Sequence, residues 1–300
     1  MNQEDLKSWK IAGKIAGEAI QFSETIVKEN ATLLDINNKI EEFIIKKGAK
    51  HAFPINLSLN NLAAHYTAIP ADLTVLKAGD LLKVDIGVVY EGCVGDTAKS
   101  FEIKTKDNKD LIKSSEEARD NVIKVLRPGI KLFEIGSIIE ETIKNYGFKP
   151  IKNLSGHGLE KYTIHSPPTI PNYDSGEKTE LKENQVVAIE PFSSTGMGFI
   201  KEGKPSTIYK LNQIKPTRSV EARKLLIFIQ EEFKTLPFSK LQLTKLFKSP
   251  SLNLVLNTLE KENILYQYNQ LPEQTPNSII AQAEHTIIIQ DKPIVTTKID

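Results

Sequence analysis

Ile11, Ile15, Ala19, Phe22 and Ile26 are spaced by four, four, three and four residues, so they share one stripe and predict a long first helix. Ile36, Ile40 and Ile44 predict a second, stopped by Gly48. A polar stretch from His51 to Tyr66 follows, with Pro54 and three asparagines. The period then changes. Leu81–Val89 and Gly92–Phe101 are rich in aliphatic and β-branched residues around single acids, which predicts the two strands of a hairpin. A turn centred on Tyr90 and Glu91, with Gly92 supplying permissive backbone, sets Asp85 directly opposite Asp96 on one face.

Further on, Ser114 and Glu117 form a candidate capping box for a helix carrying Ala118, Val122 and Val125. Pro128-Gly129 ends it, and Ile135, Ile139 and Ile143 predict another helix from near Leu132 to Gly147. That helix repeats the second one at an offset of 99: Ile40 aligns with Ile139, Glu41 with Glu140, Ile44 with Ile143 and Gly48 with Gly147. A second match aligns Leu76-Lys77, Leu81-Leu82 and Val84-Asp85 with Leu181-Lys182, Val186-Val187 and Ile189-Glu190. Two halves that each read helix, helix, acid-bearing strand imply internal two-fold pseudosymmetry. The partner strand of the second half is then Ala281–Ile289, which carries Glu284. Its acid lies far beyond Glu190, so a long segment is inserted into the second hairpin. Within it, Val220–Phe233, Leu241–Phe247 and Leu252–Leu259 predict three helices and Ile264–Tyr268 a short strand. The expected division is therefore a main domain of 1–203 and 272–300, and an inserted, winged-helix-like helical subdomain of 204–271.

Composition narrows the function. The 300 residues suit one large domain, or one with an insertion. Basic and acidic residues number 39 and 38, so no global field favours nucleic acid or a membrane surface. The insert has only a small basic surplus, too weak for a phosphate-tracking surface. Cys93 is the single cysteine, which excludes an internal disulfide and suits a reducing compartment. Asn2, Gln3, Glu4 and Asp5 open an amphipathic pattern unlike a signal peptide, and no apolar run is long enough to span a bilayer. A cytoplasmic protein is expected.

By the repeat, Asp85, Asp96, Glu190 and Glu284 converge. Carboxylates flanked by apolar residues must be paired or must coordinate a metal, and oxygen donors with one imidazole suit divalent first-row ions. The candidate imidazole is His157, whose neighbours Gly156 and Gly158 let backbone come close to a site.

These residues also carry a resemblance. Ala63-Ala64-His65-Tyr66-Thr67, Lys83-Val84-Asp85-Ile86-Gly87, Gly95-Asp96-Thr97-Ala98, Gly156-His157-Gly158, Ile164-His165-Ser166-Pro167-Pro168, Ala188-Ile189-Glu190-Pro191-Phe192 and Ala283-Glu284-His285-Thr286 resemble the motifs of type 2 methionine aminopeptidases, in their archaeal form. The match covers essentially the whole chain, and the ordered set is far more specific than any one member. It implies an α+β pita-bread fold, a pseudo-two-fold curved antiparallel sheet with helices outside, and a metal-dependent hydrolase. The implied activity is removal of the initiator methionine from nascent proteins, with a small second residue preferred, through a hydroxide bridging two divalent ions (Co, Mn, Fe or Zn). Asp96 and Glu284 would bridge the ions, Asp85 would complete one, and His157 with Glu190 the other, Glu190 also acting as general base. His165 would steady the scissile carbonyl, His65 would contact the scissile amide nitrogen, and Phe53 and Ile164 would line the methionine pocket. His285 is turned to the other face by strand alternation and receives no metal role. The expected partner is the N-terminal methionine of nascent polypeptides, with transient ribosome contact compatible, no membrane, no specific nucleic acid, and a monomeric state. The competing readings are an Xaa-Pro dipeptidase or aminopeptidase of the same fold, and a non-catalytic binding homologue.

Overall fold

The first helix runs from Gln3 to Ile26, with the Asn2 side chain capping it by accepting from the Asp5 amide at 2.7 Å. A computed structural model describes residues 1–299. The helix buries Trp9, Ala12, Gly13, Ala16, Ala19 and Ile20, while Ile11, Phe22 and Ile26 are only half-buried. Ile15 and Ala19 of the expected stripe are buried in the first core and Ile11 and Ile26 pack against it, but the buried face is wider and centred toward Ala12, Gly13 and Ala16, and the reason is size. Small residues let the helix lie tight on the sheet, where a Cβ on Gly95 would stand 2.5 Å from the Ala12 carbonyl oxygen. The larger apolar side chains fill the seam with the second helix, Leu33–Lys46, where Phe22 stacks on Phe43 at 5.0 Å.

Leu81–Tyr90 and Cys93–Glu102 form the central hairpin. Its turn is Glu91-Gly92, both at positive φ (51° and 84°), the mirror-image geometry that matches strand twist. The turn therefore lies one residue later than the sequence suggested, and the register moves by two: Asp85 pairs with Ala98, and Asp96 with Gly87. A shift of two keeps both acids on the same face. They are diagonal neighbours instead of direct ones. Lys50–His51 and Asn56–Leu59 pair with the other edge of Leu81–Tyr90.

The second half builds the same device. Val186–Ile189 is flanked by Ser155–Glu160 on one side and His285–Ile288 on the other, with Thr163–Pro171 beyond the former. The helices Leu33–Lys46 and Leu132–Asn145 enter through residues of identical backbone, Thr32 and Lys131, both at φ −88° and ψ 148°. Each entry residue makes an isolated bridge, Thr32 to Val75 and Lys131 to Glu180, which the two repeat alignments map onto each other. Two separate cores result. One gathers Ile36, Ile40, Ile44, Val84 and Ile86, the other Ile135, Ile139, Ile143, Val187 and Ile189.

The halves are stitched at the centre by side chains more than by a ladder. Thr286 Oγ1 donates to the Asp96 carbonyl and accepts from the Asp96 amide, both at 2.8 Å. Thr97 Oγ1 donates to the Glu284 carbonyl and Ser100 Oγ to that of Gln282, each at 2.8 Å.

One expected cap is corrected. The third helix starts at Lys109, so Ser114 sits inside it, buried, donating to the Leu111 carbonyl with Ser193 Oγ 2.8 Å from its own Oγ; Val125 is exposed at its end. A serine inside a helix can satisfy its hydroxyl on a preceding carbonyl, which a capping-box pattern does not distinguish. In the insert, helices occupy Val220–Glu232, Lys240–Leu246 and Leu252–Lys261. They pack on a three-stranded sheet of Phe238–Ser239, Pro205–Leu211 and Leu265–Asn269, so the segment is less purely helical than its pattern implied. It has its own apolar core around Tyr209, Leu225, Ile229, Phe238 and Leu256.

Candidate metal centre

All nine residues singled out in the sequence line one cavity of about 510 Å³: Phe53, His65, Asp85, Asp96, His157, Ile164, His165, Glu190 and Glu284. Strand alternation explains the hairpin contribution, since Asp85 and Asp96 point to the concave face while Ile86 and Val84 enter the first core. In the second half, the register runs from Ile189 opposite His285 to Phe192 opposite Gln282, which sets Glu190 across from Glu284.

Donor atoms of Asp96, His157 and Glu284 lie within 4.8 Å of one another. His157 Nε2 is 3.3 Å from Glu190 Oε1 and 3.9 Å from Asp96 Oδ2. The His157 Nδ1–H donates to the Gly158 carbonyl at 3.2 Å, so Nε2 turns its lone pair, or a proton, toward the acids.

The electrostatics favour added positive charge among these acids. Burial pushes Asp96 up to about 7, with Glu190 adding repulsion and His157 opposing it. Asp85 and Glu284 are raised well above the carboxylate range, by burial first and then by their acidic neighbours. Burial alone would lower His157, yet its hydrogen bond to Glu190 and the charges of Glu190 and Asp96 outweigh it, and its pKa is raised. Asp85 Oδ1 and Asp96 Oδ1 are buried without a hydrogen-bond partner. Buried acceptors in a cluster of mutually repelling carboxylates fit a divalent metal, which would supply the missing partner and the missing charge.

The two remaining cavity histidines are both held neutral. His65 is at φ 66°, a left-handed conformation fixed by its amide donating to Asn56 Oδ1 at 2.8 Å. Its Nδ1–H donates to the Asn269 carbonyl at 2.9 Å, leaving Nε2 as an acceptor. Burial lowers its pKa. His165 packs edge-on against His157 at 4.6 Å between centroids, and its pKa is lowered by burial and by neighbouring positive groups. His285 lies outside the cavity lining, its Nδ1 2.8 Å from Thr297 Oγ1.

Several contributors were not singled out in the sequence. Asn172, fully buried, donates to the Glu190 carbonyl at 3.3 Å. Lys83, also fully buried, donates to the carbonyls of Asn60 and Ile280 at 3.0 and 2.9 Å, tying the approach to His65 to the approach to Glu284. A lysine two residues before Asp85, on the same strand face, was the available signal. Ile208, Pro237, Tyr268 and Leu271 bring the insert into the cavity wall; only the tertiary structure shows this.

Comparison with known proteins places this centre in context. A family model described as "Metallopeptidase family M24" matches residues 7–243. A methionine aminopeptidase of Pyrococcus abyssi is 44% identical over 96% of this chain and 97% of its own. Among solved structures, a methionine aminopeptidase of Thermotoga maritima superposes with a TM-score of 0.72 at 22% identity, covering 100% and 98% of the two chains. A thermophilic Arx1 gives a TM-score of 0.86 at 16% identity, covering 99% of this chain and 91% of that one.

Proposed function

The chain belongs to metallopeptidase family M24, and on that premise we propose that its cavity removes N-terminal methionine from polypeptides by metal-dependent hydrolysis. Its fold is the pita-bread fold. The observation that carries the reading is the buried Asp96–His157–Glu284 cluster at the floor of a cavity whose wall includes Phe53 and Ile164. An Xaa-Pro-cleaving activity is not favoured, since the relatives that match over nearly the full length are methionine aminopeptidases. Nor is a non-catalytic role, because all five candidate ligand positions carry a carboxylate or an imidazole.

We assign Asp85, Asp96, His157, Glu190 and Glu284 to two divalent ions, Co, Mn, Fe or Zn all accepting such donors. Bound there, the metal would supply Lewis acidity and a water of lowered pKa. Phe53 and Ile164 receive the methionine side chain, since a thioether packs well on aromatic and aliphatic walls. His65, with Nε2 an acceptor, takes the scissile amide N–H. Neutral His165 donates to the scissile carbonyl oxygen, stabilising negative charge that develops there. Glu190 accepts a proton from the attacking water and returns it to the leaving amine. We read 204–271 as an inserted unit that closes one side of the cavity. The natural compartment is the cytoplasm, which suits the single buried Cys93.

The decisive experiment measures methionine release from peptides that differ only at the second residue. Small residues should be favoured, chelation should abolish release, and divalent metal should restore it. Release unaffected by chelation, or confined to Xaa-Pro peptides, would remove the reading.

A further inference from the structure

The inserted ribbon of Pro205–Leu211 and Leu265–Asn269 has two unlike faces. Tyr209, Leu211 and Leu265 turn into the core of the insert. Lys210 and Tyr266, paired across the ribbon, stand on the opposite face with Ile208 and Tyr268, which line the cavity. The face is graded from inside to outside. Ile208 is buried, Tyr268 half-buried and Tyr266 exposed at 42%. The His65 and Tyr268 rings meet edge-on at 5.0 Å, and the Tyr268 and Tyr266 rings at 5.1 Å. An aromatic wall thus continues from a cavity histidine to open solvent. Lys210 Nζ lies over both tyrosines, 5.4 and 5.7 Å from their centroids, and among the described residues it makes no ion pair.

We propose that this face is the track of the substrate chain beyond its second residue, and that Lys210 makes the enzyme prefer acidic over basic residues there. The proposal rests on the methionine-release reading above. An enzyme that cuts after the first residue buries that residue and must let the rest of the polypeptide leave by the mouth. The two ring-to-ring steps span about three extended residues, so the third to fifth residues of the substrate pass Tyr268, Tyr266 and Lys210. Tyrosines offer faces that accept backbone and apolar side chains without strong sequence demand. The lysine adds a charge whose complement is an aspartate or glutamate of the passing chain.

The test compares kcat/KM on three peptides, Met-Ala followed by two glutamates, two serines or two lysines, with metal-loaded protein at low salt. An exposed ion pair predicts an acidic-to-basic ratio of about twofold to fivefold, collapsing toward one in about 1 M salt. Lys210→Glu should invert the ratio. Because the ratio is taken within each variant, a general loss of activity cancels. A flat ratio in the wild-type protein, or one that Lys210→Glu leaves unchanged, overturns the proposal. No release from the serine peptide would instead remove the underlying activity, a separate result from release with a flat ratio.

Discussion

The two acid-bearing hairpins are built to one plan but joined differently. In the first, Tyr90 and Cys93 close on a two-residue turn and the acids end diagonal to each other, Asp85 facing Ala98 and Asp96 facing Gly87. In the second, Glu190 and Glu284 face each other in register, and the connection between them carries a folded unit with its own core. A tight turn fixes the register of its strands through its own backbone geometry. A strand pair opened by a long insertion must take its register from neighbouring contacts. Here those are the pairs Ile189–His285 and Phe192–Gln282 on either side of the acids. Opening the second hairpin frees its connection to wall the cavity, as Tyr268 and Leu271 do. The first hairpin has no residue to spare for that.

The comparison can be broken most severely at the equivalent acids Asp85 and Glu190. Glu190→Gln should lower kcat by about a thousandfold, the loss of a general base, with bound metal measured on the same sample. Full activity with metal bound would end the assignment. Asp85→Asn should instead act on metal affinity, weakening it at least about tenfold by titration calorimetry.

The cores test the same equivalence in stability. Ile40 and Ile139 are repeat-related and both fully buried. Alanine at either should cost about 3 kcal/mol in denaturant unfolding, the range for emptying a core isoleucine. A cost at one position and none at the other would show that only one half is structurally committed.

Charge at the shared centre gives a pH signature. Folded Asp85, Asp96 and Glu284 have raised pKa values, whereas in the unfolded chain they ionise near about 4. As pH rises from about 4 toward and past 7, these three groups therefore hold fewer protons in the unfolded state, and their contribution to the stability of the metal-free protein falls. His157, also raised, contributes in the same direction, its stabilisation fading as pH rises through the folded pKa. The lowered groups act with the opposite sign, His51, His65, His165 and His285 up to about 6.5 and Lys83 above about 7, so the acids are read by difference. Across this window the melting temperature of chelated Asp96→Asn should fall less, or rise more, than that of chelated wild-type protein, and metal should shift the wild-type profile in the same sense by replacing protons as the compensating charge. Equal pH profiles in the two chelated proteins would contradict the assignment of these groups.

The smallest effect belongs to the turn. Gly92 has φ +84°, and a Cβ there would meet the Tyr162 ring at 2.6 Å, so Gly92→Ala should cost about 1 to 2 kcal/mol. The second hairpin has no counterpart to this position, since residues 204–271 contain no glycine.

The sequence by itself determined the repeat, the helices with Ile36–Ile44 and Ile135–Ile143 inward, the acid-bearing strands, and the segment inserted before Glu284, because hydrophobic period and spaced acids are local signals written into the chain. It also named the residues that meet in the cavity. The register of the first hairpin was not legible, since a turn centred one residue earlier satisfies the same alternation and only strand twist selects Glu91-Gly92. The centring of the first helix's buried face was not legible either, because hydrophobic spacing ignores size and the sheet selected Ala12, Gly13 and Ala16 as the close face. Ser114 looked like a cap until the helix was seen to begin at Lys109. Tertiary structure alone decided that Lys83 ties two distant carbonyls together, that Asn269 fixes the tautomer of His65, and that the ribbon of the insert becomes a wall of the site. The contacts of Lys83 with Ile280 and of His65 with Asn269 join residues nearly two hundred or more positions apart, and no local pattern records which distant backbone a side chain will reach.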